Sequence, residues 1–298
     1  MASYLESTAR ERLRQLFDAG SFEEFVAPAE RMVSPHLAQL NAPVSFDDGV
    51  VVGCARLNGI SVYAAAQEGG FMGGAVGEVH GAKLTGLLRR AAVERPVAVI
   101  LLLDTGGVRL HEANAGLIAV SEVMRALLDA RAAGVPVIAL IGGSNGAFGG
   151  MGIVARCANA IVMSEEGRLA MSGPEVIETA NGVEEFDSRD RALVWRTTGG
   201  KHRYLLGDCH AIVPDSVDAF RRAAIDAVAP CAMQAVELTL QALEQEQQML
   251  AERLERYGAL RDPLDIWQAM GIADAQQIPM LEIDAFIAAA RQRIGAQS

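Results

Sequence analysis

Cysteine is scarce in this chain and poorly placed for joint work. Cys54, Cys157, Cys209 and Cys231 are scattered, with no C-x-x-C pair. That spacing indicates neither a disulfide framework nor a cysteine zinc site, and no metal is expected. Long apolar runs are missing too: none approaches the ~18 residues of a membrane span. The charged N-terminus lacks the apolar core of a signal sequence. Aromatic residues are few, at 5%. Basic excess is absent, for the net charge is −11, which argues against nucleic acid or an anionic membrane as partner. A soluble cytoplasmic protein is the expectation. What the chain does have is apolar bulk, at 51% of 298 residues. That is enough core for one large domain or two small ones.

The chain is organised around residues 135–156. Val135-Pro-Val-Ile-Ala-Leu-Ile141 reads as a buried strand. The glycine-dense stretch Gly142-Gly-Ser-Asn-Gly-Ala-Phe-Gly-Gly-Met-Gly152 follows, and small apolar residues then resume with a helical pattern. Glycine places no Cβ in the way of a second molecule. The N–H groups of a helix start favour negative charge. A second unit of this design lies upstream, with strand Pro96-Val-Ala-Val-Ile-Leu-Leu-Leu103 and turn Asp104-Thr-Gly-Gly-Val-Arg109. Two such turns can aim two N–H donors at one oxygen, the arrangement of an oxyanion hole. The plain alternative is that the glycines serve tight turns only.

Around these units the chain reads in order. Residues 3–40 are expected to be helical and amphipathic, with Leu13, Leu16 and Phe17 on one face and a capping box at Ser21 and Glu24. Asn58-Gly59 between apolar runs signals a hairpin. Gly69-Gly-Phe-Met-Gly-Gly-Ala-Val-Gly77 is another glycine-dense loop, but it is not G-x-G-x-x-G and opens no βαβ unit, so a dinucleotide site is rejected. Helices are expected over 78–94, 113–133 and 216–228, and short strands over 160–163 and 168–171. Gly173-Pro174 starts a helix with proline at its first position. Residues 230–257 read as one long helix with Val236, Leu240, Leu243, Leu250 and Leu254 apolar, and two further helices end the chain. That region suits docking better than chemistry. Repeated strand–helix units after a hairpin favour an α/β fold.

The turn Gly142 to Gly152 resembles the second oxyanion turn of the crotonase superfamily. Asp104-Thr-Gly-Gly-Val-Arg109 is similar to the Gly-Gly-Ala-Arg turn of its carboxyltransferase branch. Gly70 to Gly77 resembles the loop before that turn, and Gly207-Asp-Cys-His-Ala-Ile-Val-Pro214 the late strand of the core. Order and spacing agree over roughly residues 45–228. The whole chain, Arg261-Asp-Pro-Leu-Asp-Ile-Trp-Gln-Ala-Met270 included, is most similar to β subunits of biotin-independent malonate decarboxylases. The resemblance implies a crotonase-like (ClpP/crotonase) spiral of ββα units. Residues 1–40 form a helical arm on it, 41–228 the carboxyltransferase-type core and 229–298 a helical C-terminal region. It also implies a homologous γ subunit and an acyl carrier protein presenting malonyl thioester on a phosphopantetheine-type arm, with no bound biotin. Two departures matter. The four-cysteine zinc module of some carboxyltransferase β subunits is absent. Met151-Gly-Ile-Val-Ala155 holds no carboxylate where hydratases of the superfamily carry one.

Malonyl thioester decarboxylation leaves an enolate and needs charge stabilisation on the thioester oxygen rather than a base at that step. By match to the motif, the donors are the N–H groups of Gly107 or Val108 and of Gly150 or Met151. Gly73, Gly74, Gly106 and Gly149 are expected to line the substrate. His80, His111, Ser144 and Tyr204 are candidate proton donors, each with a structural alternative. Lys201-His-Arg203 and Arg89-Arg90 are candidate phosphate holders, with solvated surface charge as the alternative. Three rivals stay open. One is a biotin-dependent acyl-CoA carboxyltransferase subunit. Another is a serine hydrolase using Ser144 in Gly142-Gly-Ser-Asn-Gly146, with Asp187 or Asp208 and His202 or His210. The last is a scaffold whose active site sits mainly on a partner.

Overall fold

The computed structural model describes residues 2–229, 239–272 and 274–297, with the side chains of 292–297 excepted. Cys231 and Val236, and the start of the expected 230–257 helix, lie outside the described residues. The elements run α1 (Ala9–Leu16), β1 (Glu23–Glu24), β2 (Val50–Leu57), β3 (Ile60–Gln67), α2 (Glu78–Glu94), β4 (Val99–Leu103), α3 (Asn114–Ala132), β5 (Val137–Ile141) and α4 (Gly149–Arg156). They continue with β6 (Ala160–Ser164), α5 (Pro174–Asn181), α6 (Arg191–Thr198), α7 (Gly200–Leu205), β7 (Ala211–Val213), α8 (Val217–Val228), α9 (Leu240–Tyr257), α10 (Pro263–Ala269) and α11 (Ile283–Gln297).

Among the described residues one sheet takes its strands in sequence order, β1 to β7. The pairs β1–β2 and β2–β3 are antiparallel, and those from β3 to β7 are parallel. Helices cover both faces, so the central strands are apolar on consecutive residues. In β4, Val99, Leu101 and Leu103 enter the core under α2, α3 and α4, while Ile100 and Leu102 enter the core under α1 and α8. A fully buried aliphatic side chain of this kind contributes roughly 1.5–3 kcal/mol.

The hairpin turns where expected. Asn58 and Gly59 both take positive φ, 52° and 78°, the backbone of a tight hairpin turn whose twist matches the strands. A Cβ on Gly59 would meet nothing within 4 Å, so strain alone decides that substitution. Gly59→Ala is expected to cost about 1–2 kcal/mol, read from the urea midpoint; an unchanged midpoint contradicts it.

The N-terminal arm departs from the expectation. Only α1 is an α-helix there, and its capping box is Thr8 with Glu11. Ser21 caps nothing: its hydroxyl donates to Arg56 O and accepts the Arg56 N–H. Glu23 and Glu24 instead pair with Cys54 and Gly53 as an edge strand. Gly53 permits this, because a Cβ there would overlap Glu23 O. A distant strand has overruled a local capping signal. Leu13, Leu16 and Phe17 are buried together as expected. Residues 168–171 form only isolated bridges, Ala147 to Leu169 and Arg168 to Gly199.

The C-terminal helices dock through residues first considered for phosphate. Lys201 is buried, donates to Pro279 O and Leu281 O, and pairs with Glu165 at 2.6 Å. His202 Nδ1 accepts from Trp267 Nε1 at 3.0 Å, and Arg203 binds Asp208 and Thr197 O. Trp267, Met270, Ile278 and Phe286 pack with Ile212 in a separate apolar cluster. Arg89 pairs with Glu122, and Arg90 with Glu94 while lying over the Phe25 ring. Lys201, His202 and Arg203 are thus spent on the chain's own groups, whereas Arg89 and Arg90 are half-exposed surface ion pairs. No helix among the described residues is long and apolar enough to cross a membrane.

Candidate active site

The two glycine turns leave the carboxyl ends of adjacent parallel strands, where open α/β sheets place their ligands. Beyond the ladder the turns stay joined. Thr105 N–H donates to Gly146 O at 2.7 Å, and Phe148 N–H to Thr105 O at 3.1 Å. They meet at their glycines. A Cβ on Gly107 would sit 3.0 Å from Phe148 O and 3.4 Å from Gly149 Cα, and one on Gly149 would be 3.5 Å from Gly107 Cα. Gly107 has φ 112° and Gly149 φ 58°, conformations that side-chain-bearing residues rarely adopt.

The backbone donors divide cleanly. In the first turn, Gly106 N–H donates to Gly73 O at 2.8 Å. Gly107 N–H donates to Thr105 Oγ1 at 3.0 Å. Arg109 N–H donates to Val76 O at 2.9 Å. Val108 N–H has no partner among the described residues, so of the two candidates there Val108 is free and Gly107 is spent. In the second turn, Gly149 N–H donates to Met171 O at 2.9 Å. Gly150 and Met151 then open α4, preceded by Phe148, which offers no capping side chain. Their N–H groups have no partner among the described residues, as first-turn helix donors do not unless capped.

Gly73 and Gly74 contact the first turn directly. The carbonyl of Gly73 takes the Gly106 N–H, and a Cβ on Gly74 would overlap Asp104 O. The third glycine loop is thus the seat on which the first turn rests. Gly106 and Gly149 likewise spend their N–H groups internally, so what they offer a ligand is space.

A buried polar chain supports this seat. Arg109 contacts Asp48 at 2.8 Å and Glu112 at 3.2 Å, all three side chains being fully buried. Glu112 also accepts from the Ser34 hydroxyl and, at 3.2 Å, from Glu78 N–H. Asp48 accepts the His80 N–H at 2.9 Å. His80 pairs through Nε2 with Gln67 Nε2 at 3.0 Å, and Gln67 Oε1 accepts the Asp104 N–H. Burial, then the Arg109 charge, lowers the His80 pKa to about 3. Burial, then Arg203, lowers that of His202 to about 3. His80 is held as a neutral imidazole between Gln67 and Asp48 O.

These two shifts set a pH dependence. The unfolded chain takes up protons at both imidazoles below the ordinary histidine value of 6.5, which the folded chain refuses until about 3. Their contribution is fully present above about 6.5 and lost as pH falls toward 3. The loss is about 1.4 kcal/mol per pH unit for each group. The urea midpoint should fall between about pH 7 and about pH 5, and His80→Gln should weaken the dependence. A midpoint insensitive to pH in that window contradicts the assignment.

The remaining proton-donor candidates separate by place. His111 is exposed on the short turn Leu110–Glu112 directly after the first glycine turn. Ser144 is exposed within the second. Tyr204 packs edge-on against Phe286 in the C-terminal cluster. The nucleophile-elbow arrangement is not formed. His202 is tied to Trp267, His210 Nδ1 accepts the Ile161 N–H, and Asp208 is held by Arg156, Arg203 and Arg253. No group of three or more His, Cys, Asp or Glu able to hold a metal is found among the described residues. Exposed apolar side chains lie along the segments that carry the turns: Leu110, Leu117, Ile118, Ile153, Met171 and Val176.

Residues 6–239 match the carboxyl transferase domain. The chain belongs to the carboxyl transferase family. It is 40% identical to the malonyl-S-ACP:biotin-protein carboxyltransferase MADC of Malonomonas rubra, over 97% of this chain and 96% of that protein. It is similar to a subunit in the crystal structure of a Pseudomonas malonate decarboxylase hetero-tetramer in complex with malonate. There the identity is 37% and the TM-score 0.80, over 90% of this chain and 97% of that one. The acetyl-coenzyme A carboxylase carboxyl transferase subunit beta of Fusobacterium nucleatum is more distant, 29% identical over 59% of each chain. The crotonase-like fold expected from the two turns is the one found, and the likeness to malonate decarboxylases extends over nearly the full chain.

Proposed function

We propose that the chain is the carboxyltransferase-type β subunit of a malonate decarboxylase and converts a malonyl thioester on an acyl carrier protein to the acetyl thioester. The observation that carries this is the set of N–H groups on two touching turns, at Val108, Gly150 and Met151, that have no partner among the described residues. The Cα–carboxylate bond of the malonyl group breaks and CO2 departs. The bond pair moves into the enolate, whose oxygen receives the N–H donors, and a proton then adds at carbon. Losing one donor of such a pair costs about 2.7–4 kcal/mol of barrier lowering. The carboxylate must stand perpendicular to the thioester plane, which is a positioning demand. We read the chain as an arm over 1–40, a catalytic core over 41–228 and a docking region over 229–298, working in the cytoplasm.

The hetero-tetramer of the Pseudomonas relative supports assembly with other subunits, and a homologous γ subunit is the partner we propose. The exposed apolar residues along the turns suit its contact. We place no biotin on this chain. A second reading has its own support: the Malonomonas relative is a malonyl-S-ACP:biotin-protein carboxyltransferase. Both readings share the same enolate and differ in where the carboxyl group goes. The assembled complex, given malonyl carrier protein labelled in the free carboxyl, should release labelled CO2 with no biotin protein present. Release that depends on a biotinylated acceptor would give the second reading, and no turnover of the thioester would overturn both.

A further inference from the structure

Asp104 opens the first turn and is 2% exposed. Its carboxylate accepts from Arg12 Nη1 at 2.9 Å, from the Asn145 N–H at 2.8 Å and from Asn145 Nδ2 at 3.2 Å. Asn145 belongs to the second turn, and the same amide nitrogen donates to Gly69 O at 3.0 Å. Two side chains thus join all three glycine loops. The space around the carboxylate is closed. A Cβ on Gly143 would overlap it, and one on Gly69 would come within 2.5 Å. Neither of these glycines has positive φ, so room for Asp104, and not turn conformation, demands them.

Arg12 is fixed as firmly. It donates through Nε to Tyr4 O at 2.9 Å and through Nη2 to Leu5 O at 3.3 Å, and it lies 4.6 Å from the Tyr4 ring centroid. Tyr4 rests in turn on Phe220 of α8, with ring centroids 4.0 Å apart. The ladder of β4 and β5 ends at Leu103 and Ile141. Past it, the Asp104–Asn145 contact joins the two turns one residue before the backbone bonds of Thr105 to Gly146 and Phe148.

We propose that Arg12, Asp104 and Asn145 form a latch that sets the separation of the two donor turns, so that Arg12 and Asn145 are positioning residues for the thioester oxygen. The inference rests on the oxyanion role proposed above. A displacement near 1 Å at a reacting centre costs on the order of 100-fold in rate. Asn145 is the place to test it, being only partly buried and carrying no charge.

In the assembled complex, Asn145→Ala is expected to lower kcat roughly 100-fold with KM held within about threefold. Amide exchange should quicken at the bonded amides of the two turns, Thr105, Gly106, Gly107, Arg109, Phe148 and Gly149, and not in the strand ladder. If that variant does not fold, Asn145→Ser carries the same test. Arg12→Met strands the Asp104 charge and should unfold at lower temperature, whereas Arg12→Met with Asp104→Asn should recover the midpoint without recovering kcat. A kcat within about threefold of wild type in folded Asn145→Ala, or unchanged exchange at the turns, overturns the latch. If the wild-type complex turns over no malonyl thioester, the functional reading fails, and the exchange measurement alone still decides the latch.

Discussion

A Gly107→Val chain is expected to fold and assemble, yet to lose decarboxylation by roughly 10²–10³-fold, the usual effect of removing one oxyanion donor. Gly107 sits at φ 112°, and any Cβ there would press on Phe148 O at 3.0 Å and Gly149 Cα at 3.4 Å. A branched side chain must wedge the turns apart or flip the peptide that presents Val108 N–H. Backbone strain of this kind costs about 1–3 kcal/mol, a modest shift in melting temperature beside the loss in rate. The check is CO2 release from malonyl carrier protein set against thermal unfolding of the same preparation. Full turnover by the folded variant would remove the oxyanion assignment.

The largest loss of stability is expected from Arg109→Met. Arg109 pairs with two carboxylates, Asp48 and Glu112, with all three side chains fully buried. Burial already raises the Asp48 pKa against the pull of Arg109. Removing the guanidinium leaves two desolvated acids facing each other, and breaking a buried pair in this way costs about 3–5 kcal/mol. Adding Asp48→Asn should recover part of that loss, since the stranded charge and not the missing contact carries most of it. Denaturant unfolding of the two variants against wild type decides the point. A single variant within about 1 kcal/mol of wild type contradicts the account.

The chemistry-bearing part of this fold is legible in the sequence because its signals are local. Glycine runs after apolar strands locate both turns, Asn58-Gly59 locates the hairpin, and helical spacing locates α2 and α3. The positions that failed depend on distant partners. Glu23 and Glu24 pair with a strand about thirty residues away, and no capping pattern reports that. Lys201, His202 and Arg203 read as a basic patch, yet they hold the C-terminal helices. Gly107 and Val108 were equivalent candidates until a side chain two residues back distinguished them. Asp104 and Asn145 read only as parts of their turns. Asp and Asn are ordinary turn residues, and only the third dimension brings them onto one another and onto Arg12.

In the oxyanion reading proposed above, Thr105 decides which amide of the first turn can receive the charge without being a donor itself. The first bend owns two amides in succession, and the threonine hydroxyl occupies one of them. Without that oxygen both amides would lie open, and the loop would lack any preference for which to present. With it, Val108 N–H is left as the unpartnered amide of that pair among the described residues. Serine in its place would keep the arrangement and valine would not, although valine copies the shape more closely.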